Sequence, residues 1–283
     1  MVKLGLNTWL WTHIFREEHL YSIDVSYELG SEVIDFCIND PFIFPIEQVN
    51  DCLKKYDMDV VITTAMPTHC NPISPVKEER EFALKYIKKL VDIAAILGSP
   101  LIGGVNYAGS GYFSGKPRSD QEIDYCLEYL RLACDYAEQF NVDIALEPVK
   151  RFETHFLNTA EQALRLIELS GIENLKIHLD TFHMNIEEEN IAGAIESCGD
   201  KLVHMHFVEN NRNIPGKGHV SWTDVFTALD NIGYDGAGCI ETFNPTTLDE
   251  TCSLTFLTRK FADSPEKLAK DGLEFLKKIR SDN

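Results

Sequence analysis

Residues 177–185 read IHLDTFHMN, a segment that begins as a buried strand yet carries Asp180 between two imidazoles, His178 and His183. Alternate residues of a strand share one face, so over 175–181, LKIHLDT, His178 and Asp180 point the same way. Ionisable groups on such a strand need a reason, and the rest of the chain supplies one. Similar short β-rich runs recur at 2–8, 32–38, 58–66, 101–105, 142–148, 202–208 and 238–243. Segments of helical period separate them, at 75–98, 119–139, 159–170, 187–196, 222–232 and 264–280. The first of these closes on Gly98, and the third opens on the N-cap candidates Asn158 and Thr159.

Eight βα units with no Pro- or Gly-rich linker predict one domain over residues 1–283, a (β/α)8 TIM barrel of the α/β class. A doubly wound open sheet would carry a glycine-rich phosphate turn after its first strand, and GLNTWLW at 5–11 has none. The loops after strands three and four, PTHCNPISP and NYAGSGYFSGKPRS, are the longest and are expected to rise over the barrel mouth.

With 26 basic against 45 acidic residues the formal charge is −19, which repels phosphate backbones and anionic membranes and argues against both as partners. The eight cysteines are scattered without a C-x-x-C pair, so neither a zinc knuckle nor a disulfide framework is indicated. MVKLGLNTWLWTH lacks a basic n-region, and no apolar run approaches 18 residues. Free thiols and no export signal predict a cytoplasmic protein.

Barrel enzymes work at the carboxyl ends of their strands. Strand five is expected to close on Glu147, strand six on Asp180, strand seven on His206 and strand eight on Glu241, at intervals of 33, 26 and 35 residues. A single carboxylate there is usually a helix cap or a solvated loop group. Four ligand-type side chains on one rim are another matter, because the carboxylates repel unless a divalent cation holds them. Three carboxylates and an imidazole suit Mn²⁺, Mg²⁺ or Co²⁺ better than a thiolate-loving ion. His178 and His204 fall one layer deeper and read as structural. His183 is expected in the loop above strand six, within reach of a substrate. Of the aromatic candidates Trp9, Trp11, Phe243 and Tyr112, Trp9 is the one taken as a pocket wall.

The segments LEPVKRFETHFLNT (146–159), HLDTFHMNIEEENI (178–191), HMHFVENNRNIPGKGHVSW (204–222) and CIETF (239–243) resemble those of the ketose 3-epimerases of D-tagatose, D-allulose (D-psicose) and L-ribulose, a group within the xylose isomerase-like sugar isomerase/epimerase barrels. The specific matches cover strands five to eight, somewhat under half of the chain. The resemblance implies a homo-oligomer, dimer or tetramer, that holds Mn²⁺ or a similar ion through Glu147, Asp180, His206 and Glu241. It further implies that Glu153, His183 and Arg212 hold ketose oxygens and that the backbone at Gly104 lies close to the sugar. The amino terminus departs from the family pattern, with Leu6 and Asn7 where several members have Tyr or Phe, which leaves the preferred ketose open.

Epimerisation beside a ketone needs a base for the C3 proton, an electrophile for the enediolate charge and an acid for the other face. Glu147 and Glu241, on strands five and eight, are the expected proton carriers through a cis-enediolate. Alternatives are a related isomerase or epimerase acting on an aldose, a keto-glycoside or an inosose. A sugar-phosphate epimerase using Lys217 in NIPGKGH, a catalytically silent sugar-binding barrel and an apurinic-site endonuclease are also weighed, the last disfavoured by the acidic charge.

Overall fold

Strong β-formers at period two make eight strands, and the computed structural model, which describes residues 1–243 and 261–282, closes them into a parallel barrel. The strands are β1 (Lys3–Asn7), β2 (Val33–Cys37), β3 (Asp59–Ala65), β4 (Leu101–Val105), β5 (Asp143–Leu146), β6 (Leu175–Asp180), β7 (Leu202–Phe207) and β8 (Ala237–Ile240). Each pairs with the next, and β8 pairs with β1. The expected (β/α)8 order is therefore present. Cys252 lies outside the described residues, and the other seven cysteines are free thiols.

The helices described are α1 (Tyr21–Glu28), α2 (Ile46–Leu53), α3 (Lys77–Leu97), α4 (Asp120–Glu138), α5 (Ala160–Ser170), α6 (Thr181–Glu187), α7 (Ile191–Cys198), α8 (Trp222–Asn231) and α9 (Pro265–Asp282). Their ends follow local chemistry. Gly98 and Gly171 take left-handed conformations to close α3 and α5, and Ser119 with Glu122 forms a reciprocal cap on α4. Of the two cap candidates before α5, Thr159 is the one used.

Two expectations change. The helix read over 187–196 is α7, shifted towards the carboxyl end, and a further short helix, α6, precedes it with His183 inside it rather than in a loop. The cause is Asp180, whose side chain accepts the Phe182 N–H at 2.6 Å and starts a helix directly at the strand end. Helices α1 and α2, each only eight residues, offered too few turns for a periodic signal.

The outer faces of the strands pack on the helices to form the main core, with Ile34, Ile62, Ile102, Ile144, Ile177 and Ile240 all fully buried. Inside the barrel Val33, Val61, Leu101, Ala237 and Cys239 form a separate apolar floor near the strand starts. Above it the lining turns polar. Asp35, His178 and His204 are fully buried there, followed by Asn7, Asp180 and His206 nearer the mouth. The register pairs His178 with His204 and Asp180 with His206, so β6 and β7 present matched layers.

The loops after β3 and β4 are tied together: Ser110 N–H donates to Met66 O at 2.8 Å, and Gly109 N–H donates to Asn71 Oδ1 at 3.0 Å. Gly111 N–H then donates to Glu153 O at 2.9 Å, joining both to the loop after β5. Three walls thus stand on one side of the mouth.

Candidate active site at the barrel mouth

Strands β5 and β8 end one residue earlier than expected, at Leu146 and Ile240, so Glu147 and Glu241 lie just past the ladder where the chain turns over the mouth. Glu147 is held by its backbone: its N–H donates to Gly104 O at 3.2 Å, and its carbonyl accepts Tyr107 Oη–H at 2.9 Å. Asp180 closes β6 and divides its two oxygens, Oδ1 capping α6 and Oδ2 accepting Arg212 Nη1 at 2.8 Å. Ligating atoms of Glu147, Asp180 and His206 lie within 4.8 Å of one another. Glu241 Oε1 approaches His206 Nδ1 at 3.4 Å, and its Oε2 takes Arg212 Nη1 at 2.5 Å.

The donor set fits a divalent ion on one particular ground. His206 Nε2 is engaged by Asp35 Oδ2 at 2.7 Å, while Nδ1 is buried among carboxylates with no hydrogen-bond partner. A buried ring nitrogen without a partner is costly unless something coordinates it. The carboxylates tell the same story. Burial first, then the neighbouring Glu241 and Asp180 charges, holds the Glu147 carboxyl well above its usual range, although His206 and Arg212 oppose the rise. Burial likewise raises Asp180, against the pull of Arg212. For His206, burial alone would depress the imidazole, but Glu241 and Asp35 outweigh it and hold the group up at about 10.

His183 behaves in the opposite way. Burial, reinforced by Arg212 and Lys150, keeps it well below the usual range, so it is a neutral imidazole at pH 7. Its Nδ1 accepts the Lys150 backbone N–H at 3.1 Å, which places the ring hydrogen on Nε2. Nε2 in turn stands 3.1 Å from Arg212 Nη2, so two donors converge on one point. An acceptor oxygen at that point satisfies both. Arg212 is aimed there by a left-handed backbone (φ 63°), stabilised by its N–H to Glu209 O at 2.9 Å and by Thr242 Oγ1–H donating to its carbonyl. Its guanidinium lies between the rings of Phe182 at 4.2 Å and Phe243 at 5.1 Å.

The structure thus brings Glu147, Asp180, His206, Glu241, His183 and Arg212 into one buried cluster. Trp9 adjoins it through Phe243, with ring centroids 5.0 Å apart. Gly104 has a structural reason to be glycine, since its φ of 103° would drive a Cβ to 2.0 Å from Thr64 O. Glu153 stays apart from the cluster, on the rim, with its carboxylate paired to Lys150. Among the aromatic candidates, Tyr112 packs on His155 instead, and Trp11 is buried with its Nε1–H donating to Glu266 of α9.

Sequence reasoning passed over several residues. Asp35 is fully buried and accepts from Asn7, Thr63, His204 and His206. Its signal was available, a carboxylate in the middle of the buried run VIDFC. Lys150, lowered to about 8 chiefly by burial, had no such signal. Nor did Glu209, which is fully buried in the loop after β7 and accepts from Gly216 N–H at 2.8 Å, Val220 N–H at 3.2 Å and Trp222 Nε1–H at 2.7 Å.

A family model described as the xylose isomerase-like TIM barrel matches residues 23–279. The chain is 31% identical over 248 residues to the D-psicose 3-epimerase of Ruminiclostridium cellulolyticum, covering 86% of this chain and 84% of that protein. It is 30% identical over 244 residues to the ketose 3-epimerase of Arthrobacter globiformis, with the same coverage of 86% and 84%. The crystal structure of D-allulose 3-epimerase from Methylomonas sp. in complex with D-allulose superposes with a TM-score of 0.93 at 25% identity, over 98% of this chain and 97% of that one. The chain therefore belongs to the xylose isomerase-like TIM barrel family, and the relatives named above are ketose 3-epimerases, enzymes of the isomerase class.

Proposed function

We propose that this protein inverts C3 of free ketoses of the D-tagatose, D-allulose/D-fructose or L-ribulose type, with Glu147, Asp180, His206 and Glu241 holding Mn²⁺. The observation that carries the reading is the convergence of Glu147, Asp180 and His206 around an unpartnered imidazole nitrogen. The relatives' printed activities support the substrate class. When bound, the ion supplies Lewis-acid polarisation of the ketose carbonyl.

The residues of the chain do the rest. One of Glu147 and Glu241 takes the C3 proton, and the C–H electron pair moves into a C2–C3 double bond as charge builds on O2. The other glutamate delivers its proton to the opposite face of C3, and the pair returns from O2. The two glutamates exchange these roles in the reverse direction. The neutral His183 Nε2–H and Arg212 Nη2 donate to the oxygen where charge develops. Glu153 holds a further hydroxyl from the rim, the backbone at Gly104 lies beside the sugar, and Trp9 with Phe243 covers its carbon face.

A phosphorylated ketose fits less well. The loop amides of NIPGKGH that would form a phosphate nest include Gly216 N–H, already donated to the buried carboxylate of Glu209, and a phosphate there would face that anion. The domain acting in this way spans residues 1–283, and we place it in the cytoplasm as a homodimer or homotetramer. Among the described residues no helix is long and apolar enough to cross a membrane.

The test is incubation of the purified protein with D-fructose, D-allulose, D-tagatose and L-ribulose in D₂O with Mn²⁺. Proton NMR is expected to report C3 inversion together with deuterium at C3. Inversion of none of them would overturn the reading, and conversion of a keto-glycoside instead would redirect it to the sister class.

A further inference from the structure

Inside the barrel, one layer below the rim, Asp35 of β2 faces His204 and His206 of β7 across the interior. Its Oδ2 receives His206 Nε2 at 2.7 Å, Asn7 Nδ2 at 2.8 Å and His204 Nε2 at 3.2 Å, and its Oδ1 receives Thr63 Oγ1 at 2.8 Å. Asp35, Asn7 and His204 are fully buried, and His206 and Thr63 nearly so. A carboxylate is an acceptor only, so every group facing it must present a hydrogen. The Asn7 amide cannot flip to oppose this, because its Oδ1 accepts the Trp9 backbone N–H at 2.8 Å.

We propose that Asp35 is the positioning residue of the metal centre. By accepting from His206 Nε2–H it selects the ring tautomer and orientation that aim the Nδ1 lone pair at the space shared with Glu147, Asp180 and Glu241. Without it, either ring nitrogen can carry the hydrogen, and the ring can rotate away from the carboxylates. Through Asn7 the same carboxylate also ties the His206 ligand to the turn that bears Trp9. The inference rests on the proposed metal role of His206.

The experiment compares the wild type with Asp35→Asn in Co²⁺ and Mn²⁺ titrations, with far-UV circular dichroism establishing that both are folded. We expect about 10–100-fold weaker metal binding in the variant and shifted Co²⁺ visible bands, a change that a purely structural role would not produce. A folded variant with wild-type affinity and an unchanged Co²⁺ spectrum overturns the proposal. The wild type alone gives a second reading that does not depend on the variant folding. Long-range ¹⁵N–¹H NMR of histidine-labelled, Mg²⁺-loaded protein should find His206 with its hydrogen on Nε2, and a hydrogen on Nδ1 overturns the proposal. A wild type that binds no divalent ion defeats the metal reading itself, a result distinct from any difference between wild type and variant.

Discussion

Replacement of Asp180 by Asn separates its two tasks. Asn retains an oxygen to accept the Phe182 N–H, so α6 keeps its cap, and Asn is as good a cap as Asp. What disappears is the charge at Oδ2. Because burial raises the Asp180 carboxyl, the folded metal-free protein carries that charge unwillingly. Against that relief, the amide nitrogen that replaces Oδ2 faces the Arg212 Nη1 donor, so the metal-free variant should melt somewhat below the wild-type temperature. With metal the gap widens. At Mn²⁺ equal to about 100 times the wild-type Kd, binding stabilises the fold by about 2.7 kcal/mol. For a domain of this size that is a rise of about 5 °C. Loss of one of three carboxylate ligands should weaken binding by at least ~100-fold, since even indirect partners of a ligand are worth about 10–100-fold. The same Mn²⁺ concentration then stabilises the variant by at most about 0.4 kcal/mol, near 1 °C. Differential scanning calorimetry with and without Mn²⁺ reads all four values. A variant that keeps the full metal-induced shift would refute the assignment of Asp180 as a ligand.

Three further outcomes follow from the same geometry. Metal affinity should rise with pH, because Glu147 and His206, both raised in the metal-free fold, must release protons to the solvent when an ion binds. Calorimetric titration in buffers of different ionisation enthalpy should detect that release at pH 7 and a steep loss of affinity towards pH 5. His183→Ala should leave metal affinity within a few-fold while lowering kcat by about 10²–10³-fold, the usual cost of removing an oxyanion donor. Glu209→Ala should leave the Gly216, Val220 and Trp222 donors without their acceptor and cost about 3–5 kcal/mol by chemical denaturation.

Much of this protein is written locally in its chain. The eight period-two runs, the caps at Ser119 and Thr159 and the closing glycines at 98 and 171 each depend on neighbours a few residues away, which is why the barrel order is legible without coordinates. The spacing of Glu147, Asp180, His206 and Glu241 was legible for the same reason, since a repeating βα unit returns each strand end to one rim. Short helices escaped because one or two turns make no periodic pattern, and His183 was misplaced because Asp180 caps a helix that begins at the strand's last residue.

What needed the tertiary structure were relations across the barrel. Asp35 and His206 are 171 positions apart, and only closure of β8 onto β1 brings β2 opposite β7. Arg212 and His183 read as isolated loop groups until their donors meet at 3.1 Å, and Glu153 looked like their equal until its carboxylate was found on the rim with Lys150. Protonation states belong to the same class. The chain supplies ionisable groups of ordinary affinity for protons, and burial together with charges brought from distant strands separates a neutral His183 from a protonated His206. Hydrophobic period and capping act through adjacent residues and are carried by sequence order alone, whereas desolvation and convergent hydrogen bonding act through space and exist only once the barrel has closed.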